Sequence, residues 1–372
     1  MKIVVVGTRG IPNIQGGVET HCEELYPRLA AMGCDVTIIR RSCYVTNDNR
    51  ITQYKGVKLI DVYAPRRKSI EAFIHTALAL IKARKLKPDI VHIHAVGPSI
   101  CTPLAKLLGM TVVSTNHGPD YERQKWGRLA KSVIYCGERF QARQSNHIIA
   151  ISHVIVDILK ERHNRTHNVS LIYNGVNIPV KSTSTDYISA LGLTPGKYVI
   201  ALGRFVPEKR FHWLIEAFKG AQPVDMKLVI AGDSDHNDTY SAQLKKMAHD
   251  TANVVLTGFI KGEKLNQLMT NAALFVLPST HEGLPISLLE AMSYNLDVLV
   301  SDIPANCLPE LESDDFFPVD DITSLTQNLS RKMSHPRHHR QYDLSNYNWD
   351  NIAKQTLDVY NNILRDTCKN LC

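Results

Sequence analysis

The chain alternates short apolar runs with longer stretches in which apolar residues recur at helical spacing. In the first half, runs rich in β-branched and aromatic residues occupy residues 2–6, 35–39, 57–62, 90–93, 111–114, 148–151 and 169–173. A second set occupies residues 198–202, 227–231, 254–257, 272–277 and 298–301. Near-continuous apolar runs are typical of parallel strands that helices cover on both faces. The pattern predicts an α/β fold with two doubly wound lobes, each binding ligands at the carboxyl ends of its strands.

A helix is predicted over residues 70–81, where apolar residues recur at i, i+3, i+4 and i+7. The stripe consists of Ile70, Phe73, Ile74, Ala77, Leu78 and Ile81. Because such a stripe normally packs against the protein interior, we interpret it as a core face. A helix lying on a membrane surface is the alternative interpretation.

Composition changes along the chain indicate where the lobes end. Residues 179–196 are rich in Pro, Ser, Thr and Gly and show little periodicity, which is typical of a linker. We therefore predict an N-terminal lobe over residues 1–178 and a second lobe over residues 197–345. Residues 346–372 contain a final helix, whose packing partner the periodicity does not indicate.

The chain has 372 residues, of which 44% are hydrophobic and 21% charged, as expected for a folded protein of two domains. No apolar run reaches the roughly 18 residues that a membrane span needs. A strand begins at Lys2, so we expect no signal peptide and a cytoplasmic location. The eight cysteines form no Cys-x-x-Cys pair and no metal-type spacing with histidine. We expect reduced thiols and no metal site.

Charge is distributed unevenly between the two halves. Residues 1–178 hold 25 Lys and Arg against 13 Asp and Glu, whereas residues 179–372 hold 18 against 23. A basic first half indicates an anionic partner, such as a nucleic acid, a phospholipid or a phosphorylated substrate. A basic solvated surface without a partner is the alternative. The basic residues form no stripe interleaved with aromatic residues, so we expect no nucleic-acid partner.

Two carboxylates flank a predicted helix start after the run at 272–277. Gly283 allows a tight turn, and Pro285 suits the first turn of a helix. Free N–H groups and the positive dipole end at such a start favour an anion. Glu282 and Glu290 could therefore bind hydroxyls on either side of a phosphate, as a sugar nucleotide requires. A loop charge and a solvated helix charge are the alternative.

A basic loop follows the run at 198–202. Gly203 and Arg204 come directly after the strand, and Lys209 closes the loop. Arg offers a planar fork of donors and Lys a compact charge, so the pair could neutralise a diphosphate without a metal ion. An exposed basic turn is the alternative.

The first strand leads into a glycine-rich loop that lacks the spacing of the G-x-G-x-x-G dinucleotide fingerprint. Arg40 and Arg41 end the second strand, where an acid for the ribose would be expected. Because NADP would tolerate these arginines, an NADP-dependent oxidoreductase stays a weak alternative. Gly16 and Gly17 place bare backbone at a helix start, where a phosphate or sugar could approach.

One histidine stands at the carboxyl end of a predicted strand. His117 follows the run at 111–114, where it could bind a substrate hydroxyl or move a proton. A structural histidine is the alternative. His92 and His94 alternate with apolar residues on one strand, so we expect them to be buried partners rather than ligands.

Together these features resemble the retaining glycosyltransferases of the GT-B fold, family 4. The resemblance covers nearly the whole chain and rests on Gly16-Gly17-Val18-Glu19, His117-Gly118, Tyr173-Asn174-Gly175-Val176, Gly203 to Lys209, Gly258-Phe259, the Glu282-x7-Glu290 pair and the closing helix. The segments 7–20 and 120–126 further resemble bacterial polysaccharide enzymes of the rhamnosyltransferase type.

The resemblance implies two Rossmann-like lobes that face each other across a cleft, with the closing helix crossing back to the first lobe. Arg204 and Lys209, beside Gly203, would bind the donor diphosphate. Glu290 would bind the ribose, and Glu282 the transferred sugar.

The resemblance also implies backbone and first-lobe contacts. Gly283-Leu284 would contact the sugar and its phosphate through amides, and Gly258 would line the base. His117 would lie beside the sugar, and Gly16-Gly17 near the diphosphate. Acceptor-side candidates are Tyr121, Arg123, Lys125 and Trp126.

We therefore expect a metal-independent glycosyltransferase without a cofactor, which moves a hexosyl or deoxyhexosyl group from a nucleotide-diphosphate sugar with retention. The expected acceptor is a growing, lipid-linked cell-surface polysaccharide. Such an enzyme could bind the anionic inner face of the plasma membrane peripherally, at about 1 kcal/mol for each Lys or Arg. Candidate cations are Arg66, Arg67, Lys68, Arg84, Lys85 and Lys87. A GT-B-like sugar-nucleotide epimerase is the alternative with the same fold.

Overall fold

The computed structural model describes residues 1–67, 70–122, 127–222, 224–234, 238–335 and 340–369. The chain divides into two compact units. The first comprises Met1–Gly175 with Tyr347–Cys372, and the second comprises Val176–Asn346. Each unit is built around its own largely parallel sheet, so the predicted α/β class with two doubly wound lobes is confirmed.

The first unit contains an eight-stranded sheet that is parallel except for one short strand. Its strands are β1 (Lys2–Val6), β2 (Asp35–Arg41), β3 (Gln53–Tyr54), β4 (Val57–Val62), β5 (Ile90–His94), β6 (Val112–Asn116), β7 (His147–Ala150) and β8 (Val169–Leu171). They lie in the order β3-β4-β2-β1-β5-β6-β7-β8. Winding reverses between β1 and β5, and open α/β sheets bind ligands at such a switch point.

Helices cover both faces of this sheet. They are α1 (Gly17–Ala31), α2 (Glu71–Leu86), α3 (Thr102–Leu107), α4 (Arg128–Gln144) and α5 (His153–His163). Side chains alternate along a strand, so Ile3 and Val5 join the core under α1. Val4 and Val6 point the other way and join the core under α2 and α3. Both faces of β1 are therefore buried, which explains its continuous apolar sequence.

The stripe predicted as the core face of α2 lies instead on the outside of that helix. Ile70, Phe73, Leu78 and Ile81 are exposed. The buried side of α2 carries His75, Thr76, Ala79, Leu80 and Ala83. The core-face prediction was therefore wrong for these four residues, because Ala79, Leu80 and Ala83 make the apolar contact with the core instead; of the predicted stripe, Ala77 packs against that core.

The second unit contains a six-stranded parallel sheet. Its strands are β9 (Tyr198–Leu202), β10 (Lys227–Ala231), β11 (Val254–Gly258), β12 (Leu274–Leu277), β13 (Asp297–Ser301) and β14 (Phe316–Phe317). Its helices are α6 (Asp186–Ala190), α7 (Phe211–Gly220), α8 (Thr239–His249), α9 (Glu263–Asn271), α10 (Ile286–Ser293) and α11 (Ile322–Ser334). The strand order β11-β10-β9-β12-β13-β14 places the switch point between β9 and β12.

A buried ion cluster fastens α11 to the sheet of the second unit. Lys332 Nζ donates to Asp297 Oδ1 at 2.7 Å and to Asp315 Oδ1 at 3.0 Å. Arg340 Nη1 also contacts the Asp315 carboxylate, at 2.5 and 2.6 Å. Burial alone would raise the pKa of Asp315, but hydrogen bonds from Arg340 and the Lys332 charge hold it below its usual value.

The closing helix α12 (Trp349–Lys369) belongs to the first unit, where it packs along α1. Ile352, Ala353 and Tyr360 lie in the same core as Leu25 of α1. Gly175 makes this packing possible, because a Cβ there would lie 2.5 Å from the Trp349 ring.

The segment predicted as a linker, residues 179–196, is part of the second unit rather than a connection outside it. It contains α6, and Ser182 N donates to Asn266 Oδ1 at 3.2 Å and to Thr270 Oγ1 at 3.1 Å. Polar side chains of α9 thus hold a segment whose composition is typical of a loop.

None of the helices among the described residues is both long enough and apolar enough to span a membrane.

Candidate functional site

The second unit brings the loops after β9 and β12 together at its switch point. The basic loop ends in a short 3-10 turn, Pro207–Lys209. Thr280, in the loop after β12, donates its N–H to the Glu208 carbonyl at 2.9 Å. The basic loop and the glutamate turn singled out in the sequence therefore lie side by side on one edge of the sheet.

Lys209 and Glu282 form an ion pair across these two loops. Lys209 Nζ donates to Glu282 Oε1 at 2.6 Å. The two side chains are 16% and 12% exposed, so the pair is largely shielded from water. Partial burial strengthens a charge-assisted hydrogen bond relative to the same bond in water.

The Glu282 carboxyl is held in its ionised form. Burial by itself would raise its pKa, yet the charge and hydrogen bond of Lys209 bring the pKa below the usual value. His281 contributes in the same direction. The turn therefore presents a fixed negative charge next to a fixed positive one, which suits a ligand carrying both hydroxyls and phosphate.

Gly203 leaves the space through which the Lys209 side chain runs. Its φ is +154°, and a Cβ at this position would lie 3.2 Å from Lys209 Cε. Gly203 N donates to the Ala231 carbonyl at 3.0 Å, which fixes the loop to the end of β10. Arg204 follows directly and is half-buried.

The helix α10 begins directly after the glutamate turn. Pro285 is its N-cap, and the Pro285 carbonyl accepts from Leu288 N and Leu289 N at 3.1 and 3.3 Å. Leu284 is buried and anchors the turn, while Gly283 is half-buried. These two N–H groups are therefore paired, whereas those of Ile286 and Ser287 come too early in the helix to have an intrahelical partner, as an anion site requires.

Glu290 lies on α10, one turn beyond the helix start, and is half-buried. Burial first, and then the charges of Glu290 and Glu263, raise the pKa of Tyr294 to about 12. Gly258 ends β11, has φ +70°, and an added Cβ would have no atom of the described residues within 4 Å. It lies beside Ala231, at the carboxyl end of β10.

In the first unit, His117 follows β6 and meets a histidine from the neighbouring strand β5. His94 Nδ1 and His117 Nε2 are 2.9 Å apart. His94 Nε2 is hydrogen-bonded to the Tyr26 hydroxyl of α1. The predicted ligand residue and the predicted buried partner are thus joined in one network.

This network continues into the core through His92. Tyr26 Oη lies 3.0 Å from His92 Nδ1, and His92 Nε2 lies 2.7 Å from Thr115 Oγ1. Burial lowers the pKa of His92 to about 3, and burial with the neighbouring imidazoles holds the pKa values of His94 and His117 well below the usual value. These imidazoles are therefore neutral near pH 7, and His117 can exchange hydrogen bonds but carries no charge.

His21 of α1 is a member of this cluster that the sequence did not indicate. Its ring centroid lies 5.0 Å from that of His117 and 5.4 Å from that of Trp349. His21 Nδ1 is bonded to Asn174 Oδ1 at 2.9 Å, whereas Nε2 has no hydrogen-bond partner among the described residues. The available signal was a polar residue, His21, on the side of α1 that otherwise carries the apolar residues Val18, Cys22 and Leu25.

Three of these histidines could present nitrogen atoms to a metal ion. His21, His94 and His117 each offer one nitrogen within 4.8 Å of the others, in the part of the chain that the structure describes. The hydrogen bond between His94 and His117 explains why their two nitrogen atoms lie close together without a metal ion. We therefore treat the cluster as a hydrogen-bond network.

Gly16 and Gly17 begin α1 next to a loop that Glu19 holds in place. Glu19 Oε1 accepts from Arg9 N at 3.0 Å and from Thr8 Oγ1 at 3.2 Å. A Cβ on Gly16 would lie 2.1 Å from Glu19 Oε2, whereas one on Gly17 would meet no atom of the described residues within 4 Å. The exposed backbone at Gly17 is therefore the open part of this helix start.

Arg40 and Arg41 are structural, which removes the sequence basis for an NADP site. Arg40 is buried and donates to Asp61 Oδ1 at 2.8 Å and to the Asn49 carbonyl at 2.8 Å. Arg41 donates to Glu71 Oε1 at 2.8 Å and to the Gly7 carbonyl at 3.1 Å. Both guanidinium groups are engaged inside the first unit.

Of the acceptor-side candidates, Arg123, Lys125 and Trp126 lie outside the described residues. Tyr121 is buried, and its hydroxyl donates to Glu138 Oε1 at 3.1 Å and accepts from Arg162 Nη1 at 2.6 Å. Its side chain thus anchors the turn Asp120–Glu122 to α4 and α5.

Comparison with known proteins gives two family matches that together span most of the chain. Residues 15–179 match the model described as Glycosyltransferase Family 4, and residues 186–343 match the model described as Glycosyl transferases group 1.

Two relatives and one solved structure agree with these matches. UDP-Gal:alpha-D-GlcNAc-diphosphoundecaprenol alpha-1,3-galactosyltransferase of Escherichia coli is 30% identical over 67% of this chain and 67% of its own length. An uncharacterized glycosyltransferase of Methanocaldococcus jannaschii is 27% identical over 97% of this chain and 98% of its own length. Sucrose-phosphate synthase of Thermosynechococcus elongatus has a similar fold, with a TM-score of 0.81, 20% identity, and coverage of 98% of this chain and 99% of that one.

Proposed function

This chain belongs to the glycosyltransferases of family 4 and group 1, with the two parallel-sheet domains of the GT-B fold, and we propose that it transfers a hexosyl or deoxyhexosyl group with retention. The donor would be a nucleotide-diphosphate sugar and the acceptor a growing, lipid-linked cell-surface polysaccharide. The observation that carries this proposal is the Lys209–Glu282 pair at the switch point of the second unit.

The donor diphosphate is proposed to bind between the basic loop and the start of α10. Lys209 and Arg204 supply positive charge, and each charge-assisted hydrogen bond contributes about 1.5 to 3 kcal/mol. The first N–H groups of α10 add donors with a favourable dipole. This combination supports stabilisation of the diphosphate by protein groups, without a requirement for a metal ion.

Catalysis would depend on stabilising the diphosphate as it leaves. As the anomeric C–O bond to phosphate breaks, a phosphate oxygen takes the proton of the acceptor hydroxyl, and that hydroxyl oxygen bonds the anomeric carbon on the same face. Lys209, Arg204 and the α10 amides would bind the charge that develops. Glu282 would orient both Lys209 and a sugar hydroxyl, and Glu290 would bind the ribose.

His117 of the first unit is proposed to bind a hydroxyl of the transferred sugar. The lowered pKa of His117 supports this role, because a neutral imidazole can donate and accept hydrogen bonds but does not compete for the phosphate charge. Gly16-Gly17 would allow close backbone approach of the donor, and Gly258 would line the base.

A lipid-linked acceptor is supported by the activity of the E. coli relative, whose acceptor is a diphosphoundecaprenol saccharide. The basic first half of the chain fits an acceptor that carries a diphosphate at an anionic surface. The acceptor-side residues proposed from the sequence are Tyr121, Arg123, Lys125 and Trp126, of which Tyr121 is the one among the described residues.

The test begins with a thermal-shift screen of UDP-, GDP- and dTDP-sugars, followed by turnover with the stabilising donor and a lipid-diphosphate saccharide. Proton NMR of the product would report the anomeric configuration. We expect retention, and we expect Lys209→Ala to lose most turnover while Lys219→Ala, on the exposed far end of α7, keeps it. Inversion, near-wild-type turnover by Lys209→Ala, or donor isomerisation without an acceptor would each contradict the proposal.

A further inference from the structure

Three histidine rings from separate elements meet inside the first unit. His21 lies on α1, His94 ends β5 and His117 follows β6. Each offers one nitrogen atom within 4.8 Å of the others, and this is the one group of three metal-ligating side chains that the described residues form. Spacing along the sequence could not indicate the group, because its members are brought together only by the fold.

His21 presents a buried nitrogen atom that has nothing to bind. The residue is 2% exposed, and its Nε2 has no hydrogen-bond partner among the described residues. Nδ1 of the same ring lies 2.9 Å from Asn174 Oδ1, an oxygen that accepts hydrogen bonds but does not donate them. Nδ1 therefore carries the proton, and Nε2 is left with a lone pair. A buried acceptor without a donor costs free energy that a bound ligand would recover.

His94 and His117 supply the other two nitrogen atoms. His94 Nδ1 and His117 Nε2 lie 2.9 Å apart and share one proton. His94 Nε2 meets the Tyr26 hydroxyl, which can accept a hydrogen bond from that nitrogen. His21 and His94 are buried, whereas His117 is half-buried, so an ion would enter from the His117 side.

We propose that His21 Nε2, His94 Nδ1 and His117 Nε2 bind a divalent transition-metal ion such as Zn²⁺. Three histidine nitrogens at about 2.0 to 2.1 Å, with a fourth position open, are a common set of zinc ligands. In tetrahedral geometry such nitrogens lie about 3.3 Å apart, so the 2.9 Å pair would open slightly and the His21 ring would close onto it. The proton shared by His94 and His117 would move to the other nitrogen of its own ring, which leaves all three imidazoles neutral.

The surroundings of the cluster favour this class of ion. Metal-binding histidines usually donate their second nitrogen to an oxygen, and Asn174 and Tyr26 offer oxygen atoms to His21 and His94 in this way. Imidazole nitrogen suits Zn²⁺, Cu²⁺ and Ni²⁺, whereas Mg²⁺ and Ca²⁺ prefer oxygen ligands. We therefore expect selectivity for the late transition metals.

Zinc at this position would inhibit the enzyme. This part of the inference rests on the proposed function, in which His117 binds a hydroxyl of the transferred sugar. A metal ion that occupies His117 Nε2 would withdraw that nitrogen from the sugar. The binding of the ion itself does not depend on the proposed function.

The experiment is equilibrium dialysis of the full chain against Zn²⁺, and separately against Mg²⁺, without donor or acceptor. We expect one tightly bound Zn²⁺ per chain and no bound Mg²⁺. His21→Gln should weaken zinc binding at least about tenfold, since loss of a contact to a metal ligand alone costs 10- to 100-fold. Co²⁺ in place of Zn²⁺ should give the visible absorption of a four-coordinate nitrogen site, and His21→Gln should abolish it.

The control removes histidines that lie close together in the sequence of the second unit. His335, His338 and His339 are replaced together by Gln, and this variant should bind Zn²⁺ as the wild type does. Loss of zinc binding in this variant, with retention in His21→Gln, would overturn the proposal, as would equal zinc affinity of His21→Gln and wild type. His117→Gln is the second variant should His21→Gln fail to fold, and it should weaken binding by a similar factor.

Turnover separates this site from the donor site. Zn²⁺ at ten times its dissociation constant should lower the wild-type rate about tenfold. The rate of His21→Gln, relative to its own rate without metal, should change little at that concentration. Zinc binding by a chain that transfers no sugar would refute the proposed function and leave the metal site standing. Sugar transfer by a chain that binds no zinc would refute the metal site alone.

Discussion

Lys209 Nζ lies 2.6 Å from Glu282 Oε1, although 73 positions separate the two residues. The pair joins the loops after two neighbouring strands, β9 and β12, and so converts the switch point of the sheet into a charged site. Because Glu282 holds the ammonium group in place, Lys209 is oriented before any ligand binds. Preorganised charge of this kind stabilises a developing anion without reorganisation.

The first prediction concerns the coupling within this pair. Lys209→Met should lower kcat/KM about 10- to 100-fold, as expected for the loss of one charge-assisted hydrogen bond. Glu282→Gln should also lower it, and the double variant should lose less than the two single losses combined, because the residues act as a unit. Steady-state kinetics with the identified donor would measure this, and strictly additive losses would contradict it.

The second prediction concerns Gly203. An added Cβ would press on Lys209 Cε at 3.2 Å, so Gly203→Ala should displace the lysine and reduce turnover about tenfold, or 1.4 kcal/mol. Gly196→Ala is the control, since Gly196 has φ +70° but the added Cβ would have no atom of the described chain within 4 Å. That variant should lose some stability through backbone strain and keep its turnover. Equal effects of both variants on turnover would argue against the packing explanation.

The third prediction concerns pH and the histidines of the first unit. Burial lowers the pKa of His21 to about 4, against an ordinary value of about 6.5. The neutral form therefore stabilises the fold fully above pH 6.5, and this contribution, about 3 kcal/mol, is lost progressively as the pH falls towards 4.

His21→Gln should remove this dependence. The slope of the free energy of unfolding against pH between 6.5 and 4 should then decrease by the equivalent of about one bound proton. Urea unfolding at a series of pH values, followed by tryptophan fluorescence, would measure the slopes. His249→Gln serves as the control because the side chain of His249 is almost fully exposed. Identical slopes for His21→Gln and wild type would show that His21 is not held neutral.

The fourth prediction concerns the ion cluster of the second unit. Lys332→Met would leave the buried carboxylates of Asp297 and Asp315 with Arg340 as their one cation among the described residues, and should destabilise this unit by about 3 to 5 kcal/mol. Arg331→Met removes an exposed pair with Asp314 and should cost about 0 to 1 kcal/mol. Thermal unfolding of both variants would test the difference, and similar melting temperatures would refute it.

Most strands could be predicted because burial on both faces requires continuous apolar sequence. Strands β1, β4, β9 and β10 have the predicted bounds. The two-residue strands β3 and β14 were missed, since two residues carry no periodicity. The candidate residues of the second unit could be predicted from the loops at the strand ends. Glycine and proline there indicate a tight turn and a helix start, and charged residues beside them indicate an anion site.

Other features depend on contacts that a linear pattern does not contain. Periodicity predicted the apolar stripe of α2 but not which side of the helix faces the sheet. The stripe was therefore predicted to face the core, whereas its large side chains are exposed. Residues 179–196 have the composition of a linker, yet Asn266 and Thr270 of α9 bind Ser182. His21 and Lys332 were missed because a single polar residue becomes informative only when its distant partners are known.

The contact between Gly175 and Trp349 bears on the order in which the protein can be completed during synthesis. Residues 1–175 are translated before α12, whose side chains complete their core at α1. The second unit is therefore synthesised before the core of the first unit can be completed. Removal of residues 347–369 should consequently expose the core of the first unit and leave the donor loops of the second unit in place.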